Sequence, residues 1–352
     1  MFRNVIFFLG IALLMGCGTG IKQTVTLHDR PGVGTDTTQR PMAHGKQPNT
    51  VHNGEPSVVF GNDVLKLPSG VGGSMDFLAS DKLMGRRTGT KGIEEAATFI
   101  TRIFREAGIQ PYFTDYRDSL STLDSISAYN VVGWIPGKDP TFRDEYVLIG
   151  AHYDHIGTAK AVEGDSIANG ANDNASGTVA VRELAKRLAQ RPNPKRSIIF
   201  ALFSAEEEGL LGSKHLAKKL KDRDMDLYTM LNFEMVGVPM YDRGYLLYLT
   251  GYQNSNLADV INRYAGEQLV GFLPSAQNFN LFKRSDNYPF FLEFGVPCQT
   301  FSSFDFTNFD HYHGVGDEAS LMDVSHMELV IEKLGPVIEQ IVNSSRREII
   351  NY

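Results

Sequence analysis

Apolar runs and amphipathic stretches alternate along the chain from residue 94 to residue 344. The apolar runs predict strands at 129–135, 146–152, 197–204, 228–234, 244–250 and 296–302. Apolar residues at helical spacing predict helices at 94–107, 175–190, 210–220, 256–267 and 323–344. This alternation predicts an α/β fold of three layers, with a mixed, largely parallel central sheet and helices on both of its faces.

Several predicted strands end in side chains that can bind a metal ion. His152 and Glu234 each close an apolar run, and the pair Glu206 and Glu207 follows another one directly. In open α/β sheets the ligand site lies outside the carboxyl ends of the strands. Zinc accepts imidazole nitrogen and carboxylate oxygen as ligands. The pattern therefore indicates a zinc site at one edge of the predicted sheet.

Two further candidate ligands, Asp173 and His313, lie in turns. The full set of candidate ligands, in chain order, is His152, Asp173, Glu207, Glu234 and His313. Asp154, two residues after His152, would accept the other ring N–H of that histidine and fix its orientation. Each motif also has a purely structural interpretation. The histidine motif could be an ordinary turn, Asp173 could cap a helix, and the glutamates could form an acidic first helical turn.

The N-terminal segment resembles an export signal. Arg3 precedes an apolar run from Val5 to Met15, which has the length of a secretory h-region. The run ends in Leu14-Met-Gly-Cys17, which resembles the lipobox of bacterial lipoproteins. This predicts an exported protein anchored to a membrane by a lipid on Cys17 and facing the periplasm or the cell surface. An ordinary signal peptide with an incidental cysteine is the alternative.

The rest of the chain divides by composition. Residues 1–17 form the predicted signal, 18–73 a flexible polar tether, 74–345 the folded domain and 346–352 a C-terminal tail. Short apolar stretches near residues 58–60 and 64–65 could add an edge element. Cys298, the other cysteine, lies in a strand-like run and is predicted to be a buried structural thiol. The net charge of −7 argues against a nucleic-acid surface.

Five motifs occur in an order that resembles the M28 family of zinc peptidases. They are Gly150-Ala-His-Tyr-Asp-His, Gly170-Ala-Asn-Asp-Asn-Ala-Ser-Gly, Ala205-Glu-Glu-Glu-Gly-Leu-Leu-Gly-Ser, Asn232-Phe-Glu-Met-Val-Gly and Tyr312-His. The similarity also includes Leu83-Met-Gly-Arg-Arg-Thr-Gly-Thr and Ser285-Asp-Asn-Tyr-Pro-Phe-Phe. The resemblance spans roughly residues 75 to 345. It implies the family's zinc-aminopeptidase-like sandwich fold and two co-catalytic zinc ions.

The resemblance also assigns roles. It implies that His152, Asp173 and Glu234 hold one zinc and that Asp173, Glu207 and His313 hold the other. Glu206 would be the general base, and Tyr312 would steady the oxyanion. His311 would not be a ligand, and the peptide bond between Asp173 and Asn174 would be cis. This chain departs from the family at Glu234, where aspartate is usual.

Three functions follow as hypotheses. The first is an aminopeptidase that takes a peptide substrate and uses Glu206 to move a proton between water and the leaving amine. The second is a glutaminyl cyclase with a single zinc, which shares the fold and which Glu234 would fit. The third is a surface-anchored binding protein without catalysis. Six phenylalanines before His313 could also contribute to an apolar specificity pocket, namely Phe279, Phe282, Phe301, Phe304, Phe306 and Phe309.

Overall fold

The computed structural model describes residues 57–60, 63–66, 68–120, 126–191 and 193–352. The predicted signal, Cys17 and most of the predicted tether lie outside these residues. All described residues fall in one unit, Pro56–Tyr352. Among them, no helix has the length and apolar content needed to cross a bilayer.

Thirteen strands occur in the described residues. They are β1 Ser57–Phe60, β2 Asp63–Lys66, β3 Gln110–Pro111, β4 Arg117–Ser119, β5 Tyr129–Ile135, β6 Glu145–His152, β7 Gly157–Val162, β8 Asp165–Ala168, β9 Ser197–Phe203, β10 Asp226–Phe233, β11 Leu247–Leu249, β12 Val270–Gly271 and β13 Cys298–Ser302. The α-helices are α1 Gly70–Leu78, α2 Lys91–Glu106, α3 Gly177–Ala189, α4 Leu211–Lys221, α5 Leu257–Ala265, α6 Pro274–Asn278, α7 Asn287–Phe294 and α8 Val324–Asn343.

Nine of these strands form the central sheet. Its order is β12-β11-β13-β10-β6-β9-β5-β3, and β4 also pairs with β5. The four middle strands β13, β10, β6 and β9 run parallel to their neighbours in that group, whereas β5 pairs antiparallel with β9 and β11 pairs antiparallel with β13. The predicted mixed, largely parallel sheet is therefore confirmed in its centre.

The middle strands are buried on both faces. Along β6, Val147 and Ile149 point into one apolar cluster and Leu148 into the other, because side chains alternate along a strand. Helices α1, α2, α3, α5 and α8 cover the first face, and α4 and α7 cover the second. Helices on both faces are the usual environment of parallel strands, and they complete the three-layer sandwich.

The folded region extends beyond the predicted limits of 74 and 345. Helix α1 begins at Gly70, and its Val71 is buried in the core. At the other end Ile349 is buried and Asn351 bridges to Ser255. Both segments contain only a few apolar residues among polar ones in the sequence. The apolar pattern therefore did not predict that they pack against the domain.

Among the elements that were not predicted are the hairpin of β7 and β8 and helix α7. The hairpin of β7 and β8 consists mostly of exposed residues. It therefore lacks the alternation of apolar and polar residues that predicts a strand. Helix α7 contains Pro289 and a run of aromatic residues, which hides the helical period. Cys298 lies in β13 and is fully buried, and burial raises the pKa of its thiol.

Candidate metal centre

The parallel strands deliver the candidate ligands to one edge of the sheet. His152 is the last residue of β6, Glu234 follows the end of β10, and Glu207 lies in the turn after β9. Asp173 lies in the irregular helical turn Ala171–Ser176 that precedes α3. His313 comes from the loop between β13 and α8. All five predicted ligands converge there in two groups that share Asp173.

The first group consists of His152, Asp173 and Glu234. Nε2 of His152 lies 3.0 Å from Oε1 of Glu234 and 3.3 Å from Oδ1 of Asp173. The side chain of Glu234 is thus long enough to bring its carboxylate into the same group as His152 and Asp173. Ser285 donates a hydrogen bond of 2.7 Å to Oε2 of Glu234 and so orients the carboxylate from its far side.

The second group uses the other oxygen of Asp173. Nε2 of His313 lies 3.1 Å from Oδ2 of Asp173 and 3.2 Å from Oε2 of Glu207. His155 also belongs to this group, with its Nδ1 2.9 Å from Oε1 of Glu207. Because the two oxygens of Asp173 face different histidines, this carboxylate can bridge two cations.

His155 is the main residue that the sequence analysis missed. It is fully buried, and its ring lies edge-on to the ring of His313 at 5.6 Å. The available signal was its place at the tip of β6, three residues after His152. His311, which was predicted not to be a ligand, contacts the ring of Phe309 and lies outside both groups.

Asp154 lies next to His152 with both its backbone carbonyl and its carboxylate. The nearest oxygen to Nδ1 of His152 is the backbone carbonyl of Asp154 at 3.2 Å, whereas the carboxylate is 3.6 Å away. The carboxylate accepts the backbone N–H groups of Glu206 and Glu207 at 3.2 and 3.4 Å and the Thr88 hydroxyl at 3.3 Å. The carboxylate is buried between the two strand ends, and these bonds also fix the glutamate turn.

Asp173 is held in place by contacts on both sides of it in the chain. The carboxylate of Asp317 accepts the N–H of Asn172 at 2.7 Å and that of Asp173 at 3.0 Å. The bond between Asp173 and Asn174 is cis, as the resemblance implied. The Asn174 side chain bonds to the carbonyl of Phe233 and to the N–H of Met235, which ties this turn to the end of β10.

The electrostatics of the site favour a cation. Burial alone would raise the pKa of Asp173, but hydrogen bonds from His152 and His313 lower it well below its usual range. Burial and the charge of Asp173 would likewise raise the pKa of Glu207, and its bonds to His155 and His313 lower it. Several carboxylates held together ionised need compensating positive charge. Imidazole nitrogens and carboxylate oxygens within 4.8 Å of one another form a donor set that fits zinc.

Glu206 differs from its neighbour. It belongs to neither donor group formed by the described residues, yet it lines the same cavity. Burial raises the pKa of Glu206 well above its usual value, and the nearby carboxylates add to the effect. A second carboxylate, that of Asp286, is also buried beside the site. Neither of its oxygens has a hydrogen-bond partner among the described residues. Burial raises the pKa of Asp286 to about 7.

A cavity of about 440 Å³ opens onto the centre, within the usual size of a small-ligand pocket. Phe304, Phe306 and Tyr312 form an aromatic wall. Tyr312 stacks on the ring of His313 at 4.0 Å, and burial raises the pKa of its hydroxyl, which therefore stays protonated at neutral pH. The other phenylalanines of the predicted cluster are not part of this wall: Phe301 and Phe309 are core residues, Phe279 contacts Phe306, and Phe282 lines a neighbouring cavity.

Residues 130–334 match Peptidase family M28, which is more than half of the 352 residues. The chain therefore belongs to this family. A probable zinc metalloprotease of Pyrenophora teres f. teres is 34% identical over 158 residues, which is 42% of this chain and 33% of that protein. A probable leucine aminopeptidase of Arthroderma otae is 30% identical over 152 residues, or 41% of this chain and 38% of that protein. The chain thus matches about a third of the length of these curated relatives.

Solved structures show the same fold. The Legionella pneumophila LapA aminopeptidase has a TM-score of 0.61 at 20% identity, covering 78% of this chain and 72% of that one. BSAP, a zinc aminopeptidase from Bacillus subtilis, has a TM-score of 0.59 at 16% identity, with 78% and 95% covered. The Porphyromonas gingivalis glutaminyl cyclase has a TM-score of 0.60 at 16% identity, with 78% and 99% covered.

Proposed function

We propose that this protein is a zinc-dependent aminopeptidase that uses two zinc ions. The observation that carries the proposal is the position of Asp173 between two donor groups, with Oδ1 facing His152 and Oδ2 facing His313. His152 and Glu234 would complete one site. Glu207 and His313 would complete the other, with His155 as a further donor or as the partner that orients Glu207.

The bound zinc ions would polarise the scissile carbonyl and lower the pKa of the attacking water. Glu206 accepts the proton of that water and returns it to the leaving amine. Burial raises the pKa of Glu206, so its carboxylate binds a proton more strongly than an exposed glutamate does. The protonated Tyr312 hydroxyl, at the edge of the cavity, can donate a hydrogen bond to the developing oxygen anion.

The cavity also suits the N-terminal end of a peptide. The carboxylates of Glu206 and Glu234 line it and would attract a free ammonium group. Phe304, Phe306 and Tyr312 would take an apolar side chain of the first residue, because their contact with it removes apolar surface from water. We therefore expect hydrolysis after a large hydrophobic N-terminal residue.

Glutaminyl cyclase is the second candidate. It is supported by the likeness to the Porphyromonas gingivalis enzyme and by Glu234 in place of aspartate. The second donor group around Glu207 and His313, with its histidines turned toward the carboxylates, favours the peptidase instead.

One experiment separates these functions. The purified protein is loaded with zinc, its metal content is measured by mass spectrometry, and it is incubated with Leu-Gly-Gly, N-acetyl-Leu-Gly-Gly and a peptide with N-terminal glutamine. An aminopeptidase binds two zinc ions and cleaves only the unblocked leucyl peptide. Binding of one zinc with cyclisation of the glutaminyl peptide would establish the cyclase. Zinc binding without turnover of any substrate would favour a binding protein.

We also propose that the protein is exported and attached to a membrane by a lipid on Cys17. The support is the charged and apolar pattern of residues 3–15 and the Leu14-Met-Gly-Cys17 sequence. A diacylglyceryl group with a further acyl chain would give stable anchoring, since one chain alone gives only reversible binding.

A further inference from the structure

The cavity at the metal centre is lined by charges of both signs. Asp173, Glu206, Glu207 and Glu234 lie at its metal end. Three cationic side chains line it as well, namely Lys214, Lys283 and Arg284. All three are exposed, so their charged ends can reach a ligand in the cavity.

Two of these cations are close to the turns that hold the metal centre. Lys214 donates a hydrogen bond of 2.8 Å from Nζ to the carbonyl of Gly209, at the end of the turn that carries Glu206 and Glu207. Arg284 immediately precedes Ser285, whose hydroxyl donates a hydrogen bond to Glu234. The positions of Lys214 and Arg284 are therefore set by the same segments that position the carboxylates.

Their charges are not neutralised by the protein. Within the described part of the chain, none of Lys214, Lys283 and Arg284 forms an ion pair with a carboxylate. Other lysines of α4 do: Lys218 pairs with Asp222 at 2.8 Å and Lys219 pairs with Asp118. These three side chains can therefore offer positive charge to an anionic group of a ligand in the cavity.

We propose that Lys283 and Arg284, with Lys214, bind a carboxylate on the leaving part of the peptide. This inference rests on the proposed aminopeptidase function and adds a substrate class to it: di- and tripeptides with a free C-terminus, or peptides with an acidic residue after the first. An extended residue spans at most about 3.6 Å, so a dipeptide bound by its N-terminus at the metal end places its C-terminal carboxylate about 7 Å away. The guanidinium of Arg284 can bind such a carboxylate with two hydrogen bonds.

The test compares matched pairs of substrates. The ratio of kcat/KM is measured for Leu-Gly over Leu-Gly-amide, which differ in the C-terminal charge, and for Leu-Asp-amide over Leu-Asn-amide, which differ in the side-chain charge. We expect a ratio of about ten or more in at least one pair, which is the usual effect of a hydrogen bond to a charged group. The pair that shows it identifies the source of the carboxylate.

Variants assign the effect to the cations. Arg284→Gln and the double variant Lys283→Gln with Arg284→Gln should lower the ratio toward one, mainly through KM of the charged substrate. Lys218→Gln is the control, because it removes a lysine one turn further along α4 that does not line this cavity. Ratios near one in the unaltered protein, or ratios that survive in the double variant, would overturn the inference.

A binding measurement keeps this result separate from the proposed function. Failure of the aminopeptidase proposal would appear as no hydrolysis of any of the four substrates. Calorimetric titration of Leu-Gly and Leu-Gly-amide into zinc-loaded Glu206→Gln protein then tests the carboxylate contact without turnover. About tenfold tighter binding of Leu-Gly, lost with Arg284→Gln, supports the inference, and equal binding of the two peptides contradicts it.

Discussion

Glu206 and Glu207 are neighbours in the chain, yet their carboxylates have different surroundings. The carboxylate of Glu207 contacts His155 and His313. Burial alone would raise the pKa of Glu207, but these two contacts lower it. Glu206 forms no hydrogen bond or ion pair with a histidine in the described part of the chain, and burial raises its pKa. Carboxylates whose surroundings shift their pKa values apart take different tasks in one site. At this scale the structure separates a candidate ligand from a candidate base.

The first prediction concerns this pair. Glu206→Gln keeps the shape of the side chain but removes the proton acceptor, so kcat should fall by about 10²–10⁴ while two zinc ions still bind. Glu207→Gln should instead lose affinity at one zinc. Steady-state kinetics with metal analysis of both variants checks this. Near-normal turnover by a fully loaded Glu206→Gln protein would eliminate Glu206 as the base.

The second prediction concerns His155. His155→Gln removes an imidazole that lies 2.9 Å from Glu207, so zinc affinity at the second group should fall by about 10–100-fold, as is usual when the partner of a ligand is lost. Competition with a chromophoric chelator measures this affinity. His311→Gln is the control, because this nearby histidine lies outside both groups, and its zinc affinity should not change. Equal affinities in the two variants would show that His155 has no part in metal binding.

At the scale of secondary structure, the site depends on turns that are tied together by buried polar side chains. Arg86 is the clearest case. It lies in the turn Asp81–Arg86 and donates hydrogen bonds to four backbone carbonyls, those of Leu78, Tyr153, Asn169 and Gly170. Burial lowers its pKa to about 10, so it remains charged at neutral pH. It joins α1 to the tip of β6 and to the turn that carries Asp173.

The third prediction follows from these bonds. Arg86→Leu removes a charged donor from four buried carbonyls. The carbonyl of Gly170 keeps the N–H of Ala175, and each carbonyl left without any donor costs about 1–3 kcal/mol. We expect the free energy of unfolding to fall by at least about 3 kcal/mol. Urea denaturation measures it. Arg87→Leu is the control, because the Arg87 side chain is 62% exposed and its substitution should change stability by no more than about 0.5 kcal/mol. Similar losses in the two variants would contradict the role of Arg86.

At the scale of the whole molecule, the parallel centre of the sheet decides where the chemistry occurs. Strands β13, β10, β6 and β9 point the same way, so their carboxyl ends meet at one edge. Asp173 and His313, which are 140 positions apart in sequence, line the same cavity at this edge. The proposed export and lipid anchor also concern the whole chain, and this proposal rests on residues 3–17, which lie outside the described part of the chain.

The fourth prediction tests the location. In a bacterial host, Cys17→Ser should abolish labelling by a fatty acid and should release the protein from the membrane fraction or leave it unprocessed. Metabolic labelling and fractionation measure both effects. Cys298→Ser should retain the label, because Cys298 is buried in β13. A Cys17→Ser protein that still behaves as a mature membrane lipoprotein would refute the anchor.

The sequence by itself determined the main elements and the identity of the five candidate ligands. The predicted strand 129–135 coincides with β5, and the predicted helix 175–190 contains α3, because the apolar period of these elements is a local property that burial on the sheet enforces. The strand ends then indicated where polar groups would gather. The family resemblance supplied the pairing of ligands and the cis bond.

Only the tertiary structure decided how these groups meet. Three features depend on contacts between residues far apart in sequence. His155 joins the second donor group, Asp154 accepts hydrogen bonds from the glutamate turn, and Lys214 and Arg284 line the same cavity. Such contacts follow from the order and direction of the strands and from the path of the loops. The local apolar periodicity does not predict these contacts, because it indicates only which face of a helix or strand is buried.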